Sequence, residues 1–311
     1  MSRILAICIS EKRGTQKHPV AEAEIRQGWG IEGDAHGGNW HRQISLLSHE
    51  KIEEFREKGA KVDFGAFGEN LIVEGVDFSS LPMGTRFRIG QVMLELTQIG
   101  KECHSHCPIY HKMGDCIMPR EGVFSRVLSG GRIKQGDEME IIFPEKNRPF
   151  TAAVITLSDK GAAGERVNKS GPRVIEMVTE AGYKVEESLL LPDDKARLKK
   201  ELIRLADQRQ IHVIFTTGGT GFSPRDITPE ATLEVCDRMA NGIANAILYH
   251  SLSITPRAML SRAVSGIRGK SLIINLPGSP KAVQEALEYV LPVLDHGLGI
   301  LRETEGECGG S

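Results

Sequence analysis

The chain has 311 residues, of which 40% are hydrophobic and 26% are charged, and its formal net charge is -2 at pH 7. This length predicts two domains, and the balanced charge argues against disorder and against nucleic-acid or membrane-surface partners. The opening segment MSRILAICIS lacks a signal-peptide pattern, and no stretch approaches the roughly 18 apolar residues of a membrane span, so we expect a cytoplasmic protein.

The first half of the chain shows mainly strand patterns. The candidate strands are residues 44–47, 70–73, 85–89, 92–97 and 139–143. The segment RIGQ at residues 88–91 predicts a hairpin turn between two of them. A twisted sheet or a β-barrel-like fold suits this half. The polar, proline-bounded segment 144–149 predicts a linker, which gives domains at residues 1–145 and 146–311.

The second half alternates short apolar runs with helical patterns. These are a strand at 152–157, a helix after Pro172, a strand at 184–191, a helix at 194–208 and a strand at 211–215. On the helix at 194–208, Leu198, Leu202 and Leu205 share one face. This alternation predicts a three-layer α/β domain, in which helices cover both faces of a mostly parallel sheet.

A turn rich in glycine follows the strand at 211–215. We call it the glycine turn, and it consists of Thr217, Gly218, Gly219, Thr220 and Gly221. Glycines let the backbone approach an oxyanion closely, so that main-chain N–H groups and threonine hydroxyls can bind phosphate oxygens. Thr228 is expected to cap the next helix with Pro229 at its first position, which leaves Arg225 and Asp226 on the loop beside the turn.

Two further strand ends support a ligand site. In KSLIINLPGSPKA (270–282), a strand runs into a turn where Ser279 is the expected N-cap and Pro280 opens a helix. After the strand at 152–157, Ser158 and Asp159 add a hydroxyl and a carboxylate. Because the carboxyl ends of parallel strands lie on one edge of a sheet, these segments predict a shared site for a phosphate-bearing ligand.

Six cysteines are too few for a disulfide framework, and three of them lie close together: Cys103, Cys107 and Cys116. Cys103, Cys107 and a histidine could bind zinc, although the spacing C-x-x-x-C without a second pair is atypical. Alternatively, Cys103 is a reactive thiol that carries sulfur or contacts a cofactor, its pKa lowered by cations such as Lys101, His104 and His106. Cys8 and Cys236 are expected to be ordinary buried cysteines.

Residues 151 to about 301 resemble the molybdopterin adenylyltransferase family of molybdenum-cofactor biosynthesis. The resemblance depends on TTGGTGFSPRDITPEAT, AMLSRAVSGIRG and LIINLPGSPKA, in this order. Residues 1 to about 143 resemble MOSC domains, the C-terminal type of molybdenum-cofactor sulfurases. The motifs there are Gly33-Asp34-Ala35-His36, Arg42-Gln43-Ile44-Ser45, Gly68-Glu69-Asn70-Leu71, Cys103 and Gly136-Asp137.

The first resemblance implies that the second domain binds molybdopterin and Mg-ATP, transfers AMP to the pterin phosphate and releases pyrophosphate. Asp226 and Asp193 match the family's catalytic carboxylates, which would also hold Mg²⁺; Pro-Asp-Asp at 192–194 is equally an ordinary helix start. The residues that the family places around the pocket, besides the glycine turn and Arg225, are Ser158, Asp159, Ser170, Gly171, Gly278, Ser279 and Pro280. A homo-oligomer, as in trimeric relatives, is expected.

The MOSC resemblance implies that the first domain binds the cofactor or carries sulfur, with Cys103 as the reactive thiol. Its expected pocket for an anionic cofactor is lined by Asp34, His36, Arg42 and Asn70, of which Arg42 suits bidentate phosphate contact.

The sequence also departs from the adenylyltransferase pattern. Asn168 stands where an aspartate is common, and Asn245 and Leu248 lie in a stretch that usually carries Glu and Arg. The main alternative is therefore a carrier or scaffold that binds molybdopterin without transferring AMP, and a zinc-dependent regulatory module is a third hypothesis.

Overall fold

The computed structural model describes residues 2–101, 108–165 and 167–303. Its contacts divide the chain into two units, Met1–Glu145 and Lys146–Ser311. The prediction of two domains is thereby confirmed. Within the described residues, none of the helices has the length and apolar character needed to cross a membrane.

The first unit consists mainly of strands. They are β1 (Ser2–Ile9), β2 (His18–Val20), β3 (Glu22–Arg26), β4 (Gly30–Ile31), β5 (Ile44–Ser48), β6 (Leu71–Glu74), β7 (Arg86–Ile89), β8 (Val92–Ile99), β9 (Val123–Ser129), β10 (Gly131–Lys134) and β11 (Glu138–Ile142). The described helices of this unit are α1 (His49–Glu57), α2 (Pro108–Met113) and α3 (Met118–Glu121). The five strand predictions are confirmed to within a few residues, whereas β1, β2, β3, β4, β9 and β10 have no counterpart among them.

Seven of these strands form a closed barrel, whereas β10, β3 and β4 form a separate three-stranded sheet. The order is β11-β7-β8-β9-β5-β6-β1, and antiparallel pairing of β1 with β11 at Ser2 and Met139 closes it. The predicted hairpin joins β7 to β8, where Ile89 faces Val92. Alternate side chains point into an apolar core, since strand residues two apart share a face. The β-barrel-like prediction is confirmed.

The second unit alternates strands and helices. They are β12 (Thr151–Leu157), α4 (Asp159–Ala162), α5 (Ser170–Glu180), β13 (Lys184–Leu191), α6 (Lys195–Ile203), β14 (Val213–Thr217), α7 (Thr228–Val235), β15 (Arg238–Met239), α8 (Asn241–Ile254), β16 (Ser265–Arg268), β17 (Ser271–Leu276) and α9 (Pro280–Leu301). A π-helical turn, Arg204–Gln208, extends α6. The helix that we placed after Pro172 begins two residues earlier, at Ser170.

The sheet of the second unit has the order β13-β12-β14-β17-β16-β15. The first four of these strands are parallel, and β16 and β15 are antiparallel, which confirms a mostly parallel α/β sheet. Ala152 and Val154 of β12 pack in a cluster with side chains of α5 and α9, whereas Ala153 and Ile155 pack with those of α6 and α7. Helices therefore contribute apolar side chains to two separate clusters, one on each face of the sheet.

The parallel strands end in register with one another. Leu157 of β12 pairs with Leu191 of β13, and Thr217 of β14 pairs with Leu276 of β17. The loops that follow these strands begin at Ser158, Pro192, Gly218 and Pro277. Side chains from four separate parts of the chain are thus brought to one edge of the sheet.

Candidate functional site

The glycine turn requires its glycines for its own packing. Gly218 and Gly219 have φ values of +97° and +64°, which favour residues without a Cβ. A Cβ on Gly218 would lie 2.5 Å from the carbonyl oxygen of Leu157, and one on Gly219 would lie 2.5 Å from Thr228 Oγ1. The backbone of the turn can therefore lie directly against the neighbouring strand end and the start of α7.

The turn after β17 lies against the glycine turn. The buried hydroxyl of Thr217 donates to the carbonyl oxygen of Pro277 at 2.7 Å. A Cβ on Gly278 would lie 3.3 Å from the Cα atom of Gly218. Ser279 caps α9 by accepting a hydrogen bond from the Ala282 amide at 3.2 Å, and Pro280 is the first helical residue, as predicted.

Two carboxylates flank the glycine turn. Asp193 Oδ1 lies 3.6 Å from the Cβ position of Gly219, and Asp226 Oδ2 lies 2.9 Å from that of Gly221. Burial, together with the negative charge of Asp226, raises the pKa of Asp193 above its ordinary value. The two groups are thus close enough to repel each other, which is an arrangement that a bound cation would stabilise.

Asp159 links Asp193 to the cationic side chain of Arg225. The Asp193 amide donates to Asp159 Oδ1 at 3.0 Å, and the Asp159 amide donates to Asp193 Oδ2 at 3.3 Å. Arg225, whose side chain is 66% exposed, forms an ion pair with Asp159. Ser158 accepts a hydrogen bond from the Gly161 amide at 3.0 Å and so caps α4. Arg225 is held beside the site, and its exposure leaves its guanidinium accessible to a ligand.

Thr228 does not have the predicted role of helix cap. The N-cap of α7 is Ile227, which makes no side-chain capping bond, and Thr228 is the first helical residue. Its hydroxyl donates instead to the Gly218 carbonyl at 2.9 Å. The prediction was wrong because this hydroxyl stabilises the glycine turn rather than the free N–H groups of the helix.

The start of α5 lies near the end of β12. Asn168 Oδ1 accepts from the Gly171 amide at 3.1 Å, and its Nδ2 donates to Thr156 Oγ1 at 3.1 Å. Ser170 is buried, and a Cβ on Gly171 would lie only 2.4 Å from Thr156 Oγ1. The side-chain amide of Asn168 therefore stabilises the start of α5. Asn168 is the residue that stands where an aspartate is common.

Two clefts open at this edge of the sheet. One, of about 550 Å³, is lined by Lys195, Phe222, Asp226 and Arg262 among others. The second, of about 750 Å³, lies between the starts of α5 and α9 and includes Lys169, Arg173, Lys281 and Pro280. The first cleft balances two cations with the carboxylates Asp226 and Glu230. The second has three cations and one carboxylate, Glu176, which suits an anionic ligand.

In the first unit, Asp34 is buried among hydrogen-bond donors. Its Oδ1 accepts from the Ser10 amide at 2.9 Å and from Lys17 Nζ at 2.5 Å, and its Oδ2 accepts from the His36 amide at 3.3 Å. Burial alone would raise the pKa of Asp34, but the hydrogen bonds from Lys17 and the Ser10 amide lower it well below its usual range. Asp34 and His36 are thus brought together, and His36 is the more exposed of the two.

Asn70 and Arg42 lie in other surroundings. Asn70 is 2% exposed, its Nδ2 donates to the Cys8 carbonyl, and its Oδ1 accepts from the Ser45 amide and hydroxyl. It therefore links strands of the barrel, and the prediction that it lines an open pocket was wrong. The guanidinium carbon of Arg42 lies 4.7 Å from the Trp40 ring centroid and 5.6 Å from that of Phe124.

The cysteine predictions are tested only in part. Cys103, Cys107, His104 and His106 lie outside the described residues, so the thiol and zinc hypotheses stay predictions. Cys8 is fully buried, and burial with the nearby Glu69 charge raises the pKa of its thiol to about 12. It is an ordinary buried cysteine, as expected. Within the described residues, no group of three or more His, Cys, Asp or Glu side chains could hold a metal ion.

Comparison with known proteins shows two matched families. The family described as a probable molybdopterin binding domain matches residues 153–296, and the MOSC domain family matches residues 32–140. Molybdopterin adenylyltransferase of Helicobacter pylori (strain ATCC 700392 / 26695) is 39% identical over 150 residues, which are 48% of this chain and 85% of that protein. The chain belongs to the molybdopterin-binding domain family. A MOSC domain precedes the molybdopterin-binding domain in the sequence.

Other relatives match the molybdopterin-binding domain in the same way. Molybdopterin adenylyltransferase of Escherichia coli (strain K12) is 40% identical over 140 residues, covering 44% of this chain and 71% of that protein. Gephyrin of Dictyostelium discoideum is 38% identical over 167 residues, covering 50% of this chain. That match spans only 23% of gephyrin.

Sequence reasoning assigned no role to Arg262 of the molybdopterin-binding domain. Its Nε donates to the Gly221 carbonyl at 2.7 Å, one terminal nitrogen donates to the Asp226 carbonyl at 2.6 Å, and the other pairs with Glu230. Its amide donates to the Thr220 carbonyl at 2.9 Å. Arg262 thus holds the whole loop from Thr220 to Asp226. The motif AMLSRAVSGIRG marked the segment, but nothing local indicates which loop its arginine reaches.

Lys17 of the MOSC domain was also missed. It lies outside the matched range 32–140, in a polar segment without a strand pattern, yet its side chain is only 1% exposed. A sequence gives no local sign that a lysine will be buried against a distant aspartate. The structure therefore adds Lys17 to the predicted pair Asp34 and His36.

Proposed function

We propose that the molybdopterin-binding domain transfers AMP from ATP to the terminal phosphate of molybdopterin. The observation that carries this proposal is the pair Asp193 and Asp226 beside the glycine turn, at the shared edge of the parallel strands. Relatives with 39% and 40% identity are named molybdopterin adenylyltransferase, which supports the same reaction. The pathway that this activity would serve is molybdenum-cofactor biosynthesis.

In this reaction, an oxygen of the pterin phosphate attacks the α-phosphorus of ATP. A new P–O bond forms, the bond between the α-phosphorus and the oxygen bridging to the β-phosphorus breaks, and pyrophosphate leaves with the electron pair. Such a transfer needs positioning and neutralisation of charge more than covalent chemistry from the protein. The main-chain amides of the glycine turn and the exposed guanidinium of Arg225 supply donors and positive charge for phosphate oxygens.

The carboxylates also fit Mg²⁺. Mg²⁺ is commonly held by one or two carboxylates together with substrate phosphates, so a protein cluster of three ligands is not needed. Asp193 and Asp226 would hold it, and its charge would relieve the repulsion that raises the pKa of Asp193. When bound, Mg²⁺ neutralises phosphate charge. Arg262 keeps Asp226 in place through the Asp226 and Gly221 carbonyls.

Of the remaining predicted residues, Pro280 lines the cleft between α5 and α9, together with Asn168 and Lys169. Ser170, Gly171, Gly278 and Ser279 are neighbours of these residues in the sequence. Lys195 and Phe222 line the cleft next to Asp226. We propose that ATP and molybdopterin occupy these two neighbouring clefts.

Incubation of the full chain with molybdopterin and Mg-ATP tests the proposal. Mass spectrometry should detect adenylylated molybdopterin and pyrophosphate, and Asp226→Asn should abolish both products. The control is Asp194→Asn, because Asp194 caps α6 through the Arg197 amide at 2.8 Å and asparagine also caps helices well. Product formation should survive in this control. Absence of product from the unaltered protein would remove the enzymatic proposal.

A carrier or scaffold is the second candidate. The exposed Asn245 and the half-buried Leu248 on α8 supply neither of the charges that the family pattern carries there. Under this alternative, the protein binds molybdopterin equally well with and without ATP and forms no product. Equilibrium binding measured beside the product assay separates the two candidates.

For the MOSC domain, we propose binding of the pterin cofactor through its anionic groups at His36, which lies beside the enclosed Asp34. Transfer of sulfur by Cys103 is the alternative role. Alkylation of that cysteine distinguishes them, since it should block sulfur transfer and leave cofactor binding at His36 in place.

We also propose that the protein is a homo-oligomer, with a trimer as the expected state. Large apolar side chains are exposed on and between α8 and α9: Tyr249 at 73%, Met259 at 63%, Tyr289 at 51% and Val293 at 66%. Apolar surfaces of this kind commonly mark protein interfaces. Light scattering after size exclusion should give a mass that is a multiple of 34.1 kDa, and Val293→Glu should reduce it.

A further inference from the structure

Lys17 lies inside the MOSC domain, and polar side chains enclose its ammonium group. Its side chain is 1% exposed, and that of Asp34 is 0% exposed. Lys17 Nζ lies 2.5 Å from Asp34 Oδ1 and 3.2 Å from His36 Nδ1. Burial lowers the pKa of Lys17, whereas the hydrogen bond and the charge of Asp34 raise it. Paired with this carboxylate at 2.5 Å, Lys17 is an ammonium group that acts as a donor to both neighbours.

This contact decides which nitrogen of His36 carries the proton. A lysine ammonium has no acceptor, so His36 Nδ1 must accept its hydrogen bond. In a neutral imidazole the other nitrogen, Nε2, then carries the hydrogen. The opposite tautomer would direct an N–H group at an ammonium only 3.2 Å away. Its potential acceptor, Asp34 Oδ2, lies 3.6 Å from Nδ1, which is too long for a hydrogen bond.

We propose that Lys17 is a positioning residue that fixes His36 as an Nε2–H donor, and that this donor binds an acceptor atom of an anionic ligand of the MOSC domain. The inference rests on the proposed binding of the pterin cofactor by this domain. The His36 side chain is 31% exposed, whereas those of Lys17 and Asp34 are enclosed, so His36 is the member of this group that a ligand can reach.

Ser10 supplies a second observation at the same place. Its amide donates to Asp34 Oδ1, and the residue is 2% exposed. Among the described residues its hydroxyl has no hydrogen-bond partner, which is unusual for a buried polar group. Since Lys17 and Asp34 neutralise each other, the site selects its ligand by donors more than by net charge. A phosphate or dithiolene anion of the pterin supplies suitable acceptors.

The tautomer can be measured in the unaltered full chain. The protein is labelled with ¹⁵N-histidine, and long-range ¹H–¹⁵N correlations distinguish the two ring nitrogens. The His36 signals are assigned by their loss in His36→Gln. We expect His36 Nε2 to be protonated and Nδ1 to be an acceptor. Protonation of Nδ1 alone overturns the inference, and because this measurement uses no variant of Lys17, misfolding cannot obscure it.

Ligand contact is tested with molybdopterin. Glutamine places an N–H group near the position of Nε2, whereas asparagine places its polar atoms near that of Nδ1, so His36→Gln and His36→Asn form a matched pair. The reporter is the indole N–H of Trp40, which donates to the His36 carbonyl at 3.1 Å. We expect His36→Asn to weaken the affinity seen at Trp40 by about tenfold or more relative to His36→Gln, because one hydrogen bond to a charged ligand is lost.

Equal affinities of the two variants, or molybdopterin binding that leaves the His36 and Trp40 signals unchanged, overturn the inference. AMP transfer is measured on the same samples. Loss of that activity in the unaltered protein counts against the proposed enzymatic function, whereas the His36 signals decide the role of Lys17 independently.

Discussion

The MOSC domain buries opposite charges against each other, whereas the molybdopterin-binding domain holds like charges at the edge of a sheet. Lys17 and Asp34 are enclosed, and their charges cancel. Asp193 and Asp226 are only half-buried, and the charge of one raises the pKa of the other. The first arrangement is complete without a ligand, since its charges already have partners. A bound cation would stabilise the second arrangement. Loss of a charged side chain should therefore lower the stability of the MOSC domain, whereas loss of the Asp193 charge should raise that of the molybdopterin-binding domain.

Lys17→Met should produce the largest loss of stability. It leaves Asp34 as a buried carboxylate without its counter-charge, which costs about 3–5 kcal/mol. Both tryptophans of the chain, Trp29 and Trp40, lie in the MOSC domain, so tryptophan fluorescence during urea unfolding reports on this domain. The control is Arg3→Met, because the Arg3–Glu74 pair is 54% and 32% exposed and such pairs contribute about 0–1 kcal/mol. Equal effects of the two substitutions would contradict the comparison.

Arg262→Met should lower the rate of AMP transfer, because Arg262 positions a loop of the proposed site. Without its bonds to the Gly221 and Asp226 carbonyls, the loop shifts, and a displacement of about 1 Å lowers the rate by about 100-fold. The fall should appear mainly in kcat for AMP transfer, since Arg262 positions the loop. Glu230→Gln removes only the third partner and should have a much smaller effect. If Glu230→Gln lowers kcat as far, the ion pair and not the carbonyl contacts holds the loop.

Gly218→Ala and Gly33→Ala compare a packed glycine with an open one. Both positions have positive φ, +97° and +80°, where a side chain costs about 1–2 kcal/mol. At Gly218 the added Cβ would also meet the Leu157 carbonyl at 2.5 Å, whereas at Gly33 nothing lies within 4 Å. Thermal unfolding followed by circular dichroism should therefore show a greater loss of stability for Gly218→Ala. Gly218 lies in the molybdopterin-binding domain. Equal losses would mean that the turn relaxes without contact strain.

Asp193→Asn should produce the smallest change, and one of opposite sign. Burial and the Asp226 charge raise the folded-state pKa of Asp193 above 3.8, so the folded protein binds this proton more tightly than the unfolded chain. This contribution is present at low pH and is lost as pH rises through the raised pKa. Near neutral pH the variant should therefore be slightly more stable than the original, and added Mg²⁺ should stabilise it less. Denaturation curves at several pH values, with and without Mg²⁺, test both expectations.

Several features could be predicted from the sequence because they depend on residues that are close to one another along the chain. The face formed by Leu198, Leu202 and Leu205 is fully buried, and Ser279 caps the helix that Pro280 opens. The glycine turn and the convergence of strand ends followed from the order of the elements. Thr228 was assigned wrongly because its hydroxyl had two acceptable partners, and the sequence cannot rank a helix amide against the Gly218 carbonyl.

Other features depend on contacts between distant parts of the chain. Arg262 reaches carbonyls 36 and 41 positions away, and Lys17 reaches Asp34 across 17 positions. Asn70 occurs in a motif typical of a site, but it bonds to Cys8, 62 residues away, inside the barrel. Only the folded chain shows which polar residue becomes internal.

The pairing of β1 with β11 limits how the MOSC domain can be divided. Residues 32–140 match the family, but β1 precedes that range and joins β6 to β11. A fragment that starts at residue 32 would expose two unpaired strand edges and open the apolar interior to water, which favours aggregation. A fragment of this half therefore has to include the whole of β1, from Ser2 onward.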